Sequence, residues 1–293
     1  MYLILMLSSA LSVELIDREL VNDIYAFKNS IQAIEFKDYY NDETSKLVKQ
    51  NYNTFIAYHV SNMSNLNNKE LEQLRVAIDV AFHVTFSKEY SLLYENTIAY
   101  QLGAISDQDI ERAIHIHWVA RDFKRMSSFA RRLNARDYIE AKYFFIEPSF
   151  SYQSFATISV EGVELKITDK SQLLNEDYHL VVVSDIGCWF SRNLYHSYEN
   201  AIQSGADFSG KITWLITQDS SVTPSELNRL KKEFPSIDFY LVYRNSDWMN
   251  HISFDQVPVV YSITNGEFEL EIVGWAEEND AKELVDLVPA SDW

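Results

Sequence analysis

The chain of 293 residues holds a single cysteine, Cys188, and its setting in the sequence gives that thiol a chemistry. Ahead of it run His179–Ser184 (HLVVVS), whose apolar centre suits a strand buried on both faces. Asp185–Gly187 break the run, and an amphipathic segment opens at Cys188. A thiol where a strand ends and a helix begins faces unpaired backbone N–H groups and about half a positive charge, which favour a thiolate. Cys188 is therefore a candidate nucleophile. The competing reading is a small buried hydrophobe with no reaction to perform. Ser191 follows three residues on, so the local pattern is C-x-x-S with Trp189 and Phe190 between.

No other reactive constellation is legible. The sequence has no glycine-rich phosphate loop, no G-x-S-x-G and no helical H-E-x-x-H. His115 and His117 stand two apart, which on a helix points them to different faces, and with His83 they lack the spacing of a metal pair. We therefore expect structural histidines, no metal site and no cofactor. A net charge of −18 argues against nucleic acid, whose binding rests on clustered Lys and Arg. The acidity is uneven: residues 1–150 carry 16 basic and 20 acidic side chains (−4), residues 151–293 carry 9 and 23 (−14).

The elements that must position Cys188 follow in order. Ile158–Thr168 alternates apolar and polar about Glu161–Gly162 and predicts a hairpin. The buried strand before Cys188 and the helix after it come next, then a second buried run, Lys211–Thr217 (KITWLIT). Thr223-Pro224-Ser225-Glu226 offers an N-cap, a proline at the first helical position and a capping-box glutamate for a helix to about Phe234. Ile237–Tyr243 is a third buried run. Val257–Val260, Tyr261–Thr264 and Glu267–Val273 predict a final hairpin about Asn265-Gly266, before a last helix near Glu277–Leu287. The alternation of strand and helix implies an α/β unit with a mixed, mostly parallel sheet covered by helices on both faces.

This half, 151–293, resembles the thioredoxin superfamily, and more closely its bacterial, membrane-tethered, cytochrome-maturation-type branch. The leading hairpin, the cysteine at a strand–helix junction, Val257-Pro258 before the penultimate strand, and Asn265-Gly266 followed by Gly274-Trp275 carry the resemblance. It implies thiol–disulfide redox exchange at a C-x-x-C pair. Here the second cysteine is Ser191, and the strand position of the family's buried acid falls among Val181, Val182 and Val183, with Asp185 displaced to the loop. It also implies that Pro258 is a cis-proline whose loop faces Cys188 and presents the Val257 backbone to an extended partner. Two functions follow. One is monothiol exchange, with Cys188 attacking, Ser191 hydrogen-bonding near the sulfur, Trp189, Phe190, Val257 and Pro258 holding a protein or peptide partner, and a small external thiol resolving the adduct. The other is a non-catalytic peptide-binding module with a degenerate site.

Residues 13–150 read as an α-helical domain, with helix expected through residue 146. Leu15, Ile16, Leu20, Ile24 and Phe27 form a stripe at helical spacing, and Val48, Tyr52, Phe55, Ile56 and His59 form another. Asn67 with Glu70 predicts a capped start before Leu71–Phe86, and Ser106 with Asp109 a start before one helix over Ile110–Leu133. Either an irregular bundle or a tetratricopeptide-like hairpin array fits, although no repeat of the required period is present. On the long helix, Arg121, Arg125 and Arg132 would share a basic face, solvated or docking onto an acidic surface. Met1–Ser12 is apolar and ends in small residues. It reads as a signal segment, implying a periplasmic or otherwise exported protein, or as a buried first helix in a cytoplasmic one. It is too short for a transmembrane span.

Overall fold

The structure, a computed structural model, describes residues 19–34, 42–101, 103, 105–135, 142–144, 155–161, 164–208, 210–220, 222–276 and 282–288. The possible signal segment, residues 1–12, lies outside them. The chain divides into two units, Met1–Leu133 and Asn134–Trp293.

The described part of the first unit is helical: α1 (19–32), α2 (Asp42–Phe55), α3 (Ala57–Ser61), α4 (Asn68–Thr85), α5 (Lys88–Ala99), α6 (Asp107–Val119) and α7 (Phe123–Leu133). Leu20, Ile24, Phe27 and Ile31 are buried along α1, as their spacing predicts. Val48, Tyr52, Ile56 and His59 are buried across α2 and α3, and His59 Nε2 reaches Asp23 Oδ2 at 2.8 Å. The Asn67 side chain accepts from the backbone of Lys69 and Glu70 while Glu70 accepts from the Asn67 N–H, closing the predicted capping box.

The single helix expected over Ile110–Leu133 is two. Arg121 takes φ 57, its N–H donates to the Trp118 carbonyl, and the Asp122 N–H reaches back to the His117 carbonyl. This is a Schellman ending with arginine where glycine is usual, which is why no sequence signal announced it. The shared basic face goes with the long helix. Arg121 is buried with its guanidinium over the Trp118 ring, Arg125 pairs with Asp122 and Glu95, and Arg132 lies over Phe129.

Two histidines in α6 make this unit acid-sensitive. Burial lowers the His115 pKa to about 4, helped by the cations Arg112, His83 and Arg121. Burial likewise lowers His117 to about 4, against the opposing pull of Asp122. Unfolded, both titrate near ~6.5, so between pH 6.5 and 4 the unfolded chain takes up protons that the folded chain refuses. Their contribution is whole above that window and is lost as pH falls through it. Further down, Asp109 acts in the same direction: burial opposes its ionisation, but hydrogen bonds from Ser106 and Arg75 hold its carboxyl below the ordinary value. The unfolding free energy from urea titrations followed by helical circular dichroism should therefore fall between pH 7 and pH 5, by up to about 1.4 kcal/mol per histidine per pH unit, and the urea midpoint with it. A flat midpoint would contradict the buried neutral imidazoles.

The second unit is built on an eight-stranded mixed sheet. Its strands are β1 (Lys142–Phe144), β2 (Ala156–Glu161), β3 (Glu164–Asp169), β4 (His179–Ser184), β5 (Ile212–Ile216), β6 (Phe239–Val242), β7 (Val259–Thr264) and β8 (Glu267–Val273). They lie in the order β1-β3-β2-β6-β5-β4-β7-β8. β4, β5 and β6 run parallel, while β7 is antiparallel to β4 and β8 to β7. The helices are α8 (Trp189–Gln203), α9 (Pro224–Glu233) and α10 (Lys282–Leu287).

β1 corrects the expectation of helix through residue 146 and of a helical domain reaching residue 150. Lys142–Phe144 pair in parallel with Glu164–Lys166, and the second unit begins at Asn134. So short a run carries too little periodicity to tell strand from helix.

Every residue of β4 is buried. Because side chains alternate between faces, Val181 and Val183 join Phe155, Leu173, Trp248, Ile252, Phe254, Tyr261 and Ile263 on one side. On the other, Val182 sits beside Trp214 of β5, whose ring meets Tyr195 and Tyr198 of α8 edge-on at 5.7 and 5.0 Å. The β4-to-α8 junction is thereby clamped from both faces. Thr223 and Glu226 form the predicted capping box of α9, with Pro224 in its first turn. Asn265 and Gly266, both at positive φ, form the tight turn between β7 and β8.

Candidate functional site

Cys188 is the N-cap of α8, in extended backbone conformation, with its thiol half-buried. The loop before it is closed on one residue. Asp185 accepts the Cys188 N–H on its carbonyl at 3.1 Å, accepts the Gly187 N–H on Oδ1 at 2.6 Å, and donates its own N–H to Ser191 Oγ at 3.2 Å. The Cys188 carbonyl accepts from the Arg192 N–H, the first bond of the helix.

The Val257–Pro258 peptide bond is cis, and the Cys188 thiol donates to the Val257 carbonyl with Sγ 3.4 Å away. Two bonds anchor this facing loop. The Pro258 carbonyl accepts from the N–H of Gly274, past the end of β8, and the buried Trp275 indole donates to Ser197 Oγ on α8 at 3.2 Å. The segment that faces the sulfur is thus tied through Gly274-Trp275 to the helix that carries the sulfur.

The residues singled out in the sequence divide by exposure. Trp189 and Phe190 open α8 and are 61% and 49% exposed, an apolar pair in solvent beside the thiol. Ser191 is fully buried, and its oxygen holds the Asp185 N–H rather than the sulfur, so its observed part is to close the loop. Cys188, Val257 and Pro258 are brought together. The signal for Asp185 was in the sequence as Asp-Ile-Gly, the pattern of a side chain bonding backbone two residues on. Tyr195 was missed: it is fully buried on α8, and burial pushes its phenol pKa well up, so it is a neutral hydroxyl.

Among the described residues no group of three or more His, Cys, Asp or Glu could hold a metal ion. His117 stacks on Phe129 and lies 3.5 Å from Glu95, while Arg112 donates to Asp79 and contacts His83. No described helix is long and apolar enough to cross a membrane.

No family model matches the chain, and no curated protein matches it. Solved structures similar to it include the following two. One, titled a "putative electron transfer protein" from Aquifex aeolicus VF5, is 12% identical over 45% of this chain and 87% of that one, with a TM-score of 0.32. The other, a hypothetical protein from Sinorhizobium meliloti 1021, is 9% identical over 45% and 76%, also at 0.32. Likeness of this degree carries no functional argument.

Proposed function

We propose that the second unit is a thioredoxin-like module that exchanges thiols and disulfides through Cys188 alone. The observation that carries this reading is the thiol at a helix start, 3.4 Å from the carbonyl of a residue in a cis X-Pro bond. A partner disulfide brought against this edge would be attacked by the Cys188 thiolate. The Cys188–partner S–S bond forms, the partner's old S–S bond breaks, and its other sulfur leaves as thiolate. With serine at 191, a free thiol from solution must then attack the mixed disulfide, losing its proton, and return Cys188 as thiolate. No net oxidation occurs and no cofactor takes part. The reading goes with a periplasmic or otherwise exported location, where partner disulfides persist.

A second reading, a peptide-binding module without chemistry, is favoured by the solvent-exposed Trp189 and Phe190. Exchange between a disulfide-bearing peptide and glutathione separates the two. Catalysed exchange should fall to the uncatalysed rate in Cys188→Ser. Exchange never above the uncatalysed rate, with peptide still retained by Cys188→Ser, supports binding alone.

A further inference from the structure

Among the described residues, the sheet of the second unit ends on one side in β1, three residues long, and on the other in β8, seven residues long. No residue of β8 is buried, and Leu270 and Val273 are 53% and 52% exposed. A long, exposed, partly apolar edge presents unpaired main chain to any extended polypeptide. We propose that β8 is a docking edge for an extended, basic segment of another protein, which adds to the sheet as a further antiparallel or parallel strand.

The register says which groups are free. Thr264 and Glu267 flank the two-residue turn and form a hydrogen-bonded pair, as do Ser262 and Glu269, whereas Ile263–Phe268 and Tyr261–Leu270 are the non-hydrogen-bonded pairs between. The N–H and carbonyl of Phe268 and Leu270 therefore point away from β7 to the open edge. Beyond them a bulge shifts the ladder. An added strand running antiparallel to β8 would bond Phe268 and Leu270 and set its side chains closest to those of Glu267 and Glu269, where pairs are not hydrogen-bonded.

Charge selects the occupant. Glu267, Glu269 and Glu271 alternate along the edge in a half of the chain that carries −14. Glu271 is held by the Ser262 hydroxyl, while Glu267 and Glu269 are exposed. Pairing of two copies through β8 is opposed: with Phe268, Glu269 or Leu270 on the two-fold axis, glutamate faces glutamate. Lys or Arg at alternate positions would meet Glu267 and Glu269, and apolar residues between them would lie on the face of Phe268 and Leu270, the latter open to solvent.

The test uses the full chain and a fluorescein-labelled Lys-Val-Lys-Val-Lys-Val-Lys peptide, followed by anisotropy. It should bind, and Glu269→Lys should weaken binding roughly tenfold. Leu270→Pro removes an outward N–H that takes no part in the β7 ladder, an edge position where proline is tolerated, and should weaken binding while leaving the circular dichroism unchanged. N-methylation of alternate peptide residues keeps every charge and removes main-chain donors. An N-methylated peptide that binds as well as the parent, or Glu269→Lys and Leu270→Pro without effect, overturns the proposal. So does a concentration-dependent dimer of the natural chain that Leu270→Pro abolishes, since the edge would then belong to a second copy.

Discussion

Ser191→Cys is expected to shorten the life of a mixed disulfide on Cys188 by ~10³-fold or more, because a second thiol held on the same helix acts at a far higher effective concentration than one in solution. Position 191 stands one turn into α8 from Cys188, at the three-residue spacing that makes helix neighbours. It is fully buried, so the incoming sulfur replaces an oxygen in place and the thiol is held rather than free. The variant gives up the bond from the Asp185 N–H, which costs about 1 kcal/mol and leaves the fold standing. Mass spectrometry of quenched samples reads both outcomes. The variant should lose its adduct without added thiol and accumulate an internal disulfide, while the natural chain keeps the adduct until a thiol is supplied. Equal lifetimes would show that residues 188 and 191 cannot meet.

Trp248→Ala carries the largest expected cost in stability, about 3–5 kcal/mol. The indole is fully buried and meets Phe155 edge-on at 4.6 Å, within the cluster that includes Val181, Val183, Ile252, Phe254 and Val259. The backbone of Trp248 also organises the turn, its N–H donating to the Asn245 carbonyl and its carbonyl accepting from the N–H groups of His251 and Ile252. The segment so held leads directly to Val257. Urea unfolding should show the loss, and capture of a disulfide by Cys188 should slow as the facing loop loosens. A variant with the natural urea midpoint would mean that the cluster collapses around the gap without cost.

The fold was legible wherever period and punctuation agreed. The three valines of β4, the Thr223–Glu226 box and the Asn265-Gly266 turn each name an element and one of its ends. What escaped was conformation chosen by tertiary contact. Arg121 takes a left-handed ending that a lone arginine does not advertise, and residues 142–144 become a strand because β3 offers an edge to pair with. At the site, Cys188 at the head of a helix could be read from the break at Asp185–Gly187. The approach of Val257 could not, since 69 residues separate it from Cys188; only the resemblance supplied it. Ser191 was legible as a missing thiol but not as the acceptor that closes the Asp185 loop, because that bond depends on how the loop folds back over the first turn of α8.

The most direct measurement mixes the natural, folded chain with an excess of a chromogenic aromatic disulfide, without denaturant, and follows the coloured thiolate that is released. One equivalent per chain, released promptly and located on Cys188 by peptide mass, is the predicted result. Release that waits for urea would mean that the sulfur is closed off in the folded protein, and the proposed chemistry would be wrong.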